Sequence, residues 1–462
     1  MADRFDVIVL GAGPAGEAAV NGLLRGGASV AMVERELIGG ECTNWACVPT
    51  KTLLRPPEVL GESRRAAGVP EPKLDFGPLA EYRDYMVSNH DDSKRQASYE
   101  ERGVEVIKGA GGFDGPGRIR VNGRVLEAKD VIVATGSDPV IPPLEGLAES
   151  GYWTNREASS LHEIPESAVV LGGGPVGVEL GQFLARFGCE VTLVHKPDRL
   201  VNREDPHLCS LLADQLRDDG ITLELGVSGD RVRTDGGKRV LTLSSGEEVA
   251  GEVLLVSIGR RPRTGGINLE AAGVTPGKRG IQIDEHCRAG AGVWAIGDCT
   301  GGLMFTHSGK YQGRVAVANI LGKQTRADYR AIPRVVFTNP EIAAVGLTED
   351  AARDQGLDVS TAVIELPTSI ARPYTYEQDP RGTLGVVVDK KRQVLIGAWA
   401  LAPLASEWIH QAALAIRAKV PLEVLEDTVA QFPSYSEGYL AALRELPTDG
   451  RTKNEPRATI DG

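Results

Sequence analysis

Apolar and polar positions along the chain repeat one pattern twice. The apolar run at residues 7–10 leads into Gly11, Ala12, Gly13, Pro14, Ala15 and Gly16, then into a helix-like segment ending at Gly26 and Gly27. A second apolar run, residues 168–171, leads into Gly172, Gly173, Gly174, Pro175, Val176 and Gly177. There Val176, Leu180, Phe183, Leu184 and Phe187 recur at helical spacing before Gly188 stops the helix. Each helix is followed by another strand pattern, SVAMVE in the first copy and EVTLVH in the second. Strand, glycine turn, helix and strand in that order predict two Rossmann-like α/β units in one chain.

The spacing of Gly11, Gly13 and Gly16, and of Gly172, Gly174 and Gly177, suits a dinucleotide. Glycine lets the backbone approach a pyrophosphate, and the helix N-terminus offers free N–H groups with a partial positive charge. Two copies imply two dinucleotides; the alternative is two glycine-rich strand-to-helix turns without ligand. The strand closing each unit indicates which ribose is held. Glu34, 23 residues after Gly11, is the acid that accepts hydrogen bonds from free ribose hydroxyls, as in FAD. The same count from Gly172 reaches His195, with Lys196 and Arg199 beyond it and Arg203 further on. Cationic donors in place of a carboxylate favour a 2′-phosphate and hence NADPH over NADH. Gly177 pulls the other way, because NADP sites often tolerate alanine there. An ordinary solvated loop is the competing reading for Lys196 and Arg199.

Length and composition narrow the class. A chain of 462 residues calls for several domains, and 56 glycines with only 5% aromatics suit tight α/β packing and phosphate-binding loops. A net charge of -12 argues against general binding to nucleic acid or anionic membranes and makes small molecules the expected partners. No apolar run is long enough to span a membrane and the first residues do not read as a signal peptide, so a cytoplasmic protein is expected.

Six cysteines are scattered along the chain, and only Cys42 and Cys47 lie close in sequence. They sit in LIGGECTNWACVPTKTLLR, where a turn and a helix start can bring them within disulfide range. A helix N-terminus or a cation such as Lys51 would favour a thiolate. Two passive buried cysteines or half of a zinc site are the alternatives. No second Cys/His pair lies at zinc-site spacing, and a passive pair is out of place in a glycine-rich loop just after a flavin motif.

The segment GGECTNWACVPTK resembles the GGxCxNxGCxPxK motif of the pyridine nucleotide-disulfide oxidoreductases, which include dihydrolipoamide dehydrogenase, glutathione reductase and mercuric reductase. Ala46 stands at the usual glycine position. Further matches are ATG ending at Gly136, SIGRRP at residues 257–262, AIGDC at residues 295–299 and IPRVVFTNPEIAAVGLTE at residues 332–349. The resemblance spans residues 5 to about 445. It implies two Rossmann-like dinucleotide-binding domains (FAD and NAD(P)) plus a C-terminal α+β dimerisation domain. The FAD domain would occupy residues 1–150 and 273–330, with the NAD(P) domain inserted at 151–272. An interface domain would follow at 331–446 and a flexible tail at 447–462.

The resemblance also implies roles. Cys47 would face the flavin as its charge-transfer partner, and Cys42 would be the interchange thiol. Lys51 would lie near the flavin N5 edge, paired with Glu179, and Asp298 would bind the ribityl chain. The family's HPTLSE-like motif, in which a histidine is the acid/base and a glutamate orients it, reads here Phe432, Pro433, Ser434, Tyr435, Ser436, Glu437. Phenylalanine cannot carry a proton, so efficient reduction of lipoamide or glutathione disulfide is not expected. Tyr435 is a poor base and is expected to serve packing. Mercuric reductases also manage without the histidine but carry a C-terminal cysteine pair that the tail here lacks.

The expected partner is a small disulfide or other soft electrophile as electron acceptor or, in the reverse direction, a dithiol as electron donor. A quinone-reducing diaphorase and a redox-sensing flavoprotein are the rival functions. A homodimer is expected, with the stretch at residues 412–416 packing partly across its interface.

Overall fold

The computed structural model describes residues 3–447, so the expected tail beyond them lies outside the described residues. The chain forms two compact units. One gathers residues 3–59, 73–201 and 215–329; the other gathers 60–72, 202–214 and 330–447.

In the first unit, β1 (Asp3–Leu10) leads into α1 (Pro14–Arg25) and β2 (Val30–Glu34). Pro14 supplies a preset φ at the helix start, and Gly16, Ala19, Val20 and Leu23 form the buried stripe. Two helices follow, α2 (Gly40–Asn44) and α3 (Cys47–Arg65). The sheet grows in parallel on both sides of β1. Val7 lies beside Val30 of β2, β3 (Glu105–Lys108) lies beyond β2, and β4 (Arg124–Val133) borders the other edge. The late strand Val293–Ala295 pairs in parallel with β4, Val293 beside Val131, so the chain returns to its first sheet after building a second.

That second sheet follows α4 (Asn155–Ser159), a short helix whose start is closed by a capping box of Thr154 and Glu157. Its elements are β5 (Ser167–Leu171), α5 (Pro175–Arg186), β6 (Glu190–His195), β7 (Thr222–Leu225) and β8 (Val253–Val256). The strands lie parallel in the order β7, β6, β5, β8. Every residue of β2, β5 and β8 is buried, as strands covered on both faces require. Val176, which the periodicity grouped with the buried stripe of α5, is 37% exposed. It stands in the first helical turn, where the free N–H groups must stay accessible. A last helix, α6 (Thr306–Ile320), packs closely on α1. Added Cβ atoms on Gly309 and Gly313 would lie 3.0 Å from the Ala15 Cβ and 3.1 Å from the Ala15 oxygen.

The second unit is α+β. Its antiparallel strands are β9 (Arg334–Val336), β10 (Glu341–Gly346), β11 (Val359–Glu365), β12 (Thr383–Asp389) and β13 (Val394–Ala402), ordered β9, β10, β13, β12, β11. Helices α7 (Ala405–Ala418) and α8 (Glu437–Arg444) share its core, where Ala412, Ala415, Ile416, Tyr439 and Leu443 join Ile364, Leu384 and Val386. Most of residues 412–416 therefore belongs to this chain's own core rather than to an interface. A helix facing a sheet buries every third or fourth residue, which leaves Leu414 on the outside at 68% exposure.

Candidate redox and dinucleotide site

The two glycine turns divide their work alike. Gly11 adopts φ +108°, and an added Cβ would lie 2.3 Å from the Ala134 oxygen; one on Gly16 would lie 2.0 Å from the Gly11 oxygen. In the second copy Gly172, at φ +121°, and Gly177 would meet the Ser257 and Gly172 oxygens at 2.5 and 1.9 Å. The middle glycines are open. A Cβ on Gly13 finds nothing nearer than the Gly40 Cα at 3.9 Å, and one on Gly174 finds nothing within 4 Å. The protein's own packing thus requires the outer glycines. The open middle ones leave a cradle at each helix start that a pyrophosphate fits. Gly177 is glycine for a local steric reason, so it says nothing about the nucleotide's 2′ position.

Glu34 and His195 occupy matching places in the two copies. The Ala12 N–H donates to Glu34 Oε2 at 2.7 Å, and the Gly173 N–H donates to His195 Nδ1 at 3.0 Å. With Nδ1 accepting, the ring proton of neutral His195 is assigned to Nε2, which is buried and has no partner among the described residues. Desolvation holds this imidazole below the usual histidine value. The expectation that His195 is one of three cations is therefore corrected: it is a neutral hydrogen-bond donor. Lys196 and Arg199 are exposed just beyond β6, with Arg199 Nε 3.6 Å from Asp198 Oδ1.

The cysteines are free thiols, Cys42 in α2 and Cys47 at the start of α3. Cys47 Sγ lies 3.5 Å from Thr306 Oγ1 at the head of α6. The hydrogen bond from Cys42, helped by Thr306 and Lys51, brings the Cys47 thiol down to about 6, against the opposing effect of burial. Cys42 is pushed up, first by its hydrogen bond to Cys47 and then by burial. The two shifts run in opposite directions, favouring ionisation at Cys47 and disfavouring it at Cys42. One turn along α3, Lys51 Nζ pairs with Glu179 Oε2 of α5 at 2.6 Å, and Glu179 is 4% exposed. The four residues Cys42, Cys47, Lys51 and Glu179 thus gather in the first unit from three helices.

Gly136, at φ +76°, precedes Ser137, whose Oγ donates to Asp298 Oδ2 at 2.6 Å and accepts from Arg260 Nε at 2.7 Å. Arg260 lies within the SIGRRP motif, to which the sequence reading assigned no role. Glu437 lies in the second unit at the start of α8, where its Oε2 accepts the N–H of Ser434, which precedes the helix, at 3.0 Å. Phe432 is 73% exposed. Tyr435 is buried, with its ring stacked on Trp408 and no hydroxyl partner among the described residues. Burial pushes its phenol up, which fits packing rather than base chemistry. Among the described residues no three His, Cys, Asp or Glu side chains converge as a metal site, and no helix is long and apolar enough to cross a membrane.

Residues around the cysteine loop went unread in the sequence. Trp45, between the two cysteines, has the Arg156 guanidinium 4.0 Å from its ring centroid, while the His90 ring stacks on it at 5.5 Å and 29°. His90 Nε2 lies 3.1 Å from the Asn44 oxygen. It is carried on a turn in which Ser88, Asn89 and His90 all have left-handed φ, at 54°, 50° and 57°. Each such non-glycine residue costs about 1–2 kcal/mol. From α4, Asn155 Nδ2 and Ser159 Oγ donate to the Trp45 oxygen at 2.9 and 3.0 Å, and Arg156 pairs with Glu41 and Glu36. Only the tryptophan could have drawn notice in the sequence.

Two dinucleotide cradles with a thiol pair and a Lys–Glu pair beside them define a flavin- and nicotinamide-dependent oxidoreductase. The chain belongs to the pyridine nucleotide-disulphide oxidoreductase family, which it matches over residues 5–313, with that family's dimerisation domain at residues 332–443. It is 35% identical to mercuric reductase from Staphylococcus aureus over 95% of this chain and 82% of that protein. It is 35% identical to dihydrolipoyl dehydrogenase from Thermus scotoductus over 96% of this chain and 97% of that one. Among solved structures it resembles the HOCl-induced flavoprotein disulfide reductase RclA from Escherichia coli, with a TM-score of 0.85, 28% identity, and coverage of 95% and 99%.

The family is flavin-dependent, uses a pyridine nucleotide and carries a redox-active disulfide. Its dimerisation domain points to a homodimer.

Proposed function

We propose that this enzyme passes electrons from NADPH through FAD to the Cys42/Cys47 disulfide, and from the resulting thiols to a small disulfide or another soft electrophile. The observation that carries this is the placing of Cys42 and Cys47 beside Thr306 and the Lys51–Glu179 pair, surroundings that lower the Cys47 thiol and raise that of Cys42. The chemistry supplied by bound FAD is acceptance of a hydride from the nicotinamide and delivery of an electron pair to sulfur. Gly11, Gly13, Gly16, Glu34, Gly136 and Asp298 are the residues that would hold FAD, and Gly172, Gly174, Gly177, His195, Lys196 and Arg199 those that would hold NADPH.

Opening the disulfide takes two electrons and, when Cys47 stays a thiolate, one proton. In this reading Cys47 keeps the negative charge that Thr306 and Lys51 favour, while Cys42 takes the proton and later attacks the acceptor. Buried Glu179 holds half-buried Lys51 in place through their ion pair. The preference for NADPH rests on the missing acid at His195 and on exposed Lys196 and Arg199. With Phe432 at the family's histidine position, acceptors whose departing group needs no protonation are favoured. That position also supports a second reading, direct reduction of a quinone-like acceptor with the thiols idle.

Anaerobic titration of the FAD-loaded protein with NADPH tests the proposal. Uptake of two electron pairs per chain, with both thiols becoming available to an alkylating reagent, is the expected result. Uptake of one pair, or full turnover with acceptors after Cys42→Ser, would overturn it in favour of direct transfer.

A further inference from the structure

Two side chains of this chain engage the Trp45 ring, the Arg156 guanidinium 4.0 Å from its centroid and the His90 ring stacked at 5.5 Å. A ring engaged by the chain's own side chains needs an explanation for its place between the cysteines. Its neighbours supply one. The carbonyl of Asn44 is bonded to His90, and that of Trp45 to Asn155 and Ser159. Just before Cys42, Glu41 is tied to Arg156, to Asn155 Nδ2 at 3.3 Å and to Arg260 Nη2 at 3.6 Å. Residues on each side of Cys42 are thus pinned from α4 and from the left-handed turn at Ser88–His90. Three consecutive non-glycine residues in that conformation persist only where surrounding contacts over-determine them, and the contact made here is with the cysteine loop.

We propose that Arg156, Trp45 and His90 form a clamp that holds the loop between Cys42 and Cys47 in one conformation in both redox states, and so keeps the two sulfurs positioned to close. Loop closure is the entropic obstacle to forming a disulfide, and a loop already held in place meets less of it. The clamp therefore favours the disulfide over the dithiol. The three act as positioning residues, through the loop, and none exchanges electrons. The electron balance is unchanged: the bond opens with two electrons and two protons, or one proton when Cys47 remains ionised.

This inference rests on the cysteine pair being the redox centre, and its test reads the pair separately from NADPH. The FAD-loaded protein is equilibrated with mixtures of oxidised and reduced dithiothreitol, and the free thiols are counted by alkylation. Trp45→Val and His90→Ala should each shift the equilibrium toward the dithiol by about tenfold, equivalent to about 30 mV. His90→Phe, which keeps a ring against Trp45, should recover part of the shift. If Trp45→Val fails to retain FAD, His90→Ala decides alone. Thiol equilibria equal to wild type in His90→Ala, with FAD retained, overturn the clamp, as does a shift toward the disulfide. Failure of NADPH to reduce the pair in the wild type would instead sink the proposed function and leave the thiol equilibria standing.

Discussion

Glu34 and His195 stand in the same place in two copies of one supersecondary unit, each accepting the backbone N–H that follows the first glycine of its turn. The carboxylate presents only acceptors to whatever lies beyond it. The imidazole uses its one acceptor on Gly173 and presents a donor. The duplicated framework has kept its internal hydrogen bond and inverted its outward polarity.

Replacing His195 by Glu should restore an acceptor and a charge beside the ribose. The ratio of kcat/KM for NADPH to that for NADH is expected to fall about tenfold or more, about 1.4 kcal/mol. Because burial lowers the imidazole's pKa, wild-type His195 carries no charge from about pH 7 upward, and it gains one only below the ordinary value of about 6.5. The KM for NADPH should show no step from this residue between about pH 7 and 8. An unchanged nucleotide ratio in His195→Glu would remove it from the site.

The glycines of the second turn should separate folding from binding. Gly174→Ala has room for its methyl group, so the protein should keep its FAD and its melting temperature while the KM for NADPH rises about tenfold. Gly172→Ala forces a methyl against the Ser257 oxygen at positive φ and should lower stability by about 2 kcal/mol or more. Thermal denaturation and nucleotide kinetics on the two variants check this, and equal loss of stability in both would contradict it.

Thr306→Val removes a hydroxyl 3.5 Å from the Cys47 sulfur. Cys47 titrates low, at about 6, so its thiolate is present above that pH; losing a hydrogen bond to the ionised form raises the value. A bond worth about 0.5–1.5 kcal/mol moves the thiolate absorbance to higher pH by about half to one pH unit. Titration of the reduced protein by ultraviolet absorbance measures it. No movement would mean that Cys42 and Lys51 alone hold the thiolate.

Much of the site was legible because its signals are local. Gly11, Gly13 and Gly16 with Glu34, and the spacing of Cys42 and Cys47, are patterns within one βαβ unit and one helix start. The partnership of Lys51 with Glu179 joins helices 128 residues apart. It was legible through resemblance to a known family, since no spacing rule links such distant positions. Thr306, Arg260, His90 and Arg156 lay beyond reach because a lone threonine, arginine or histidine in a helix or loop has an ordinary reading. Their meaning comes from what packs against them.

By itself the sequence determined the two dinucleotide units and the thiol pair between them. These follow from residue type and short-range periodicity, which act before the chain is folded. Tertiary structure alone decided that His195 is a neutral donor, that Gly177 is glycine for steric reasons and that Trp45 packs with Arg156 and His90. Each of these depends on which groups are brought within a few ångströms of one another and shielded from water. Desolvation and close packing arise only when distant segments meet.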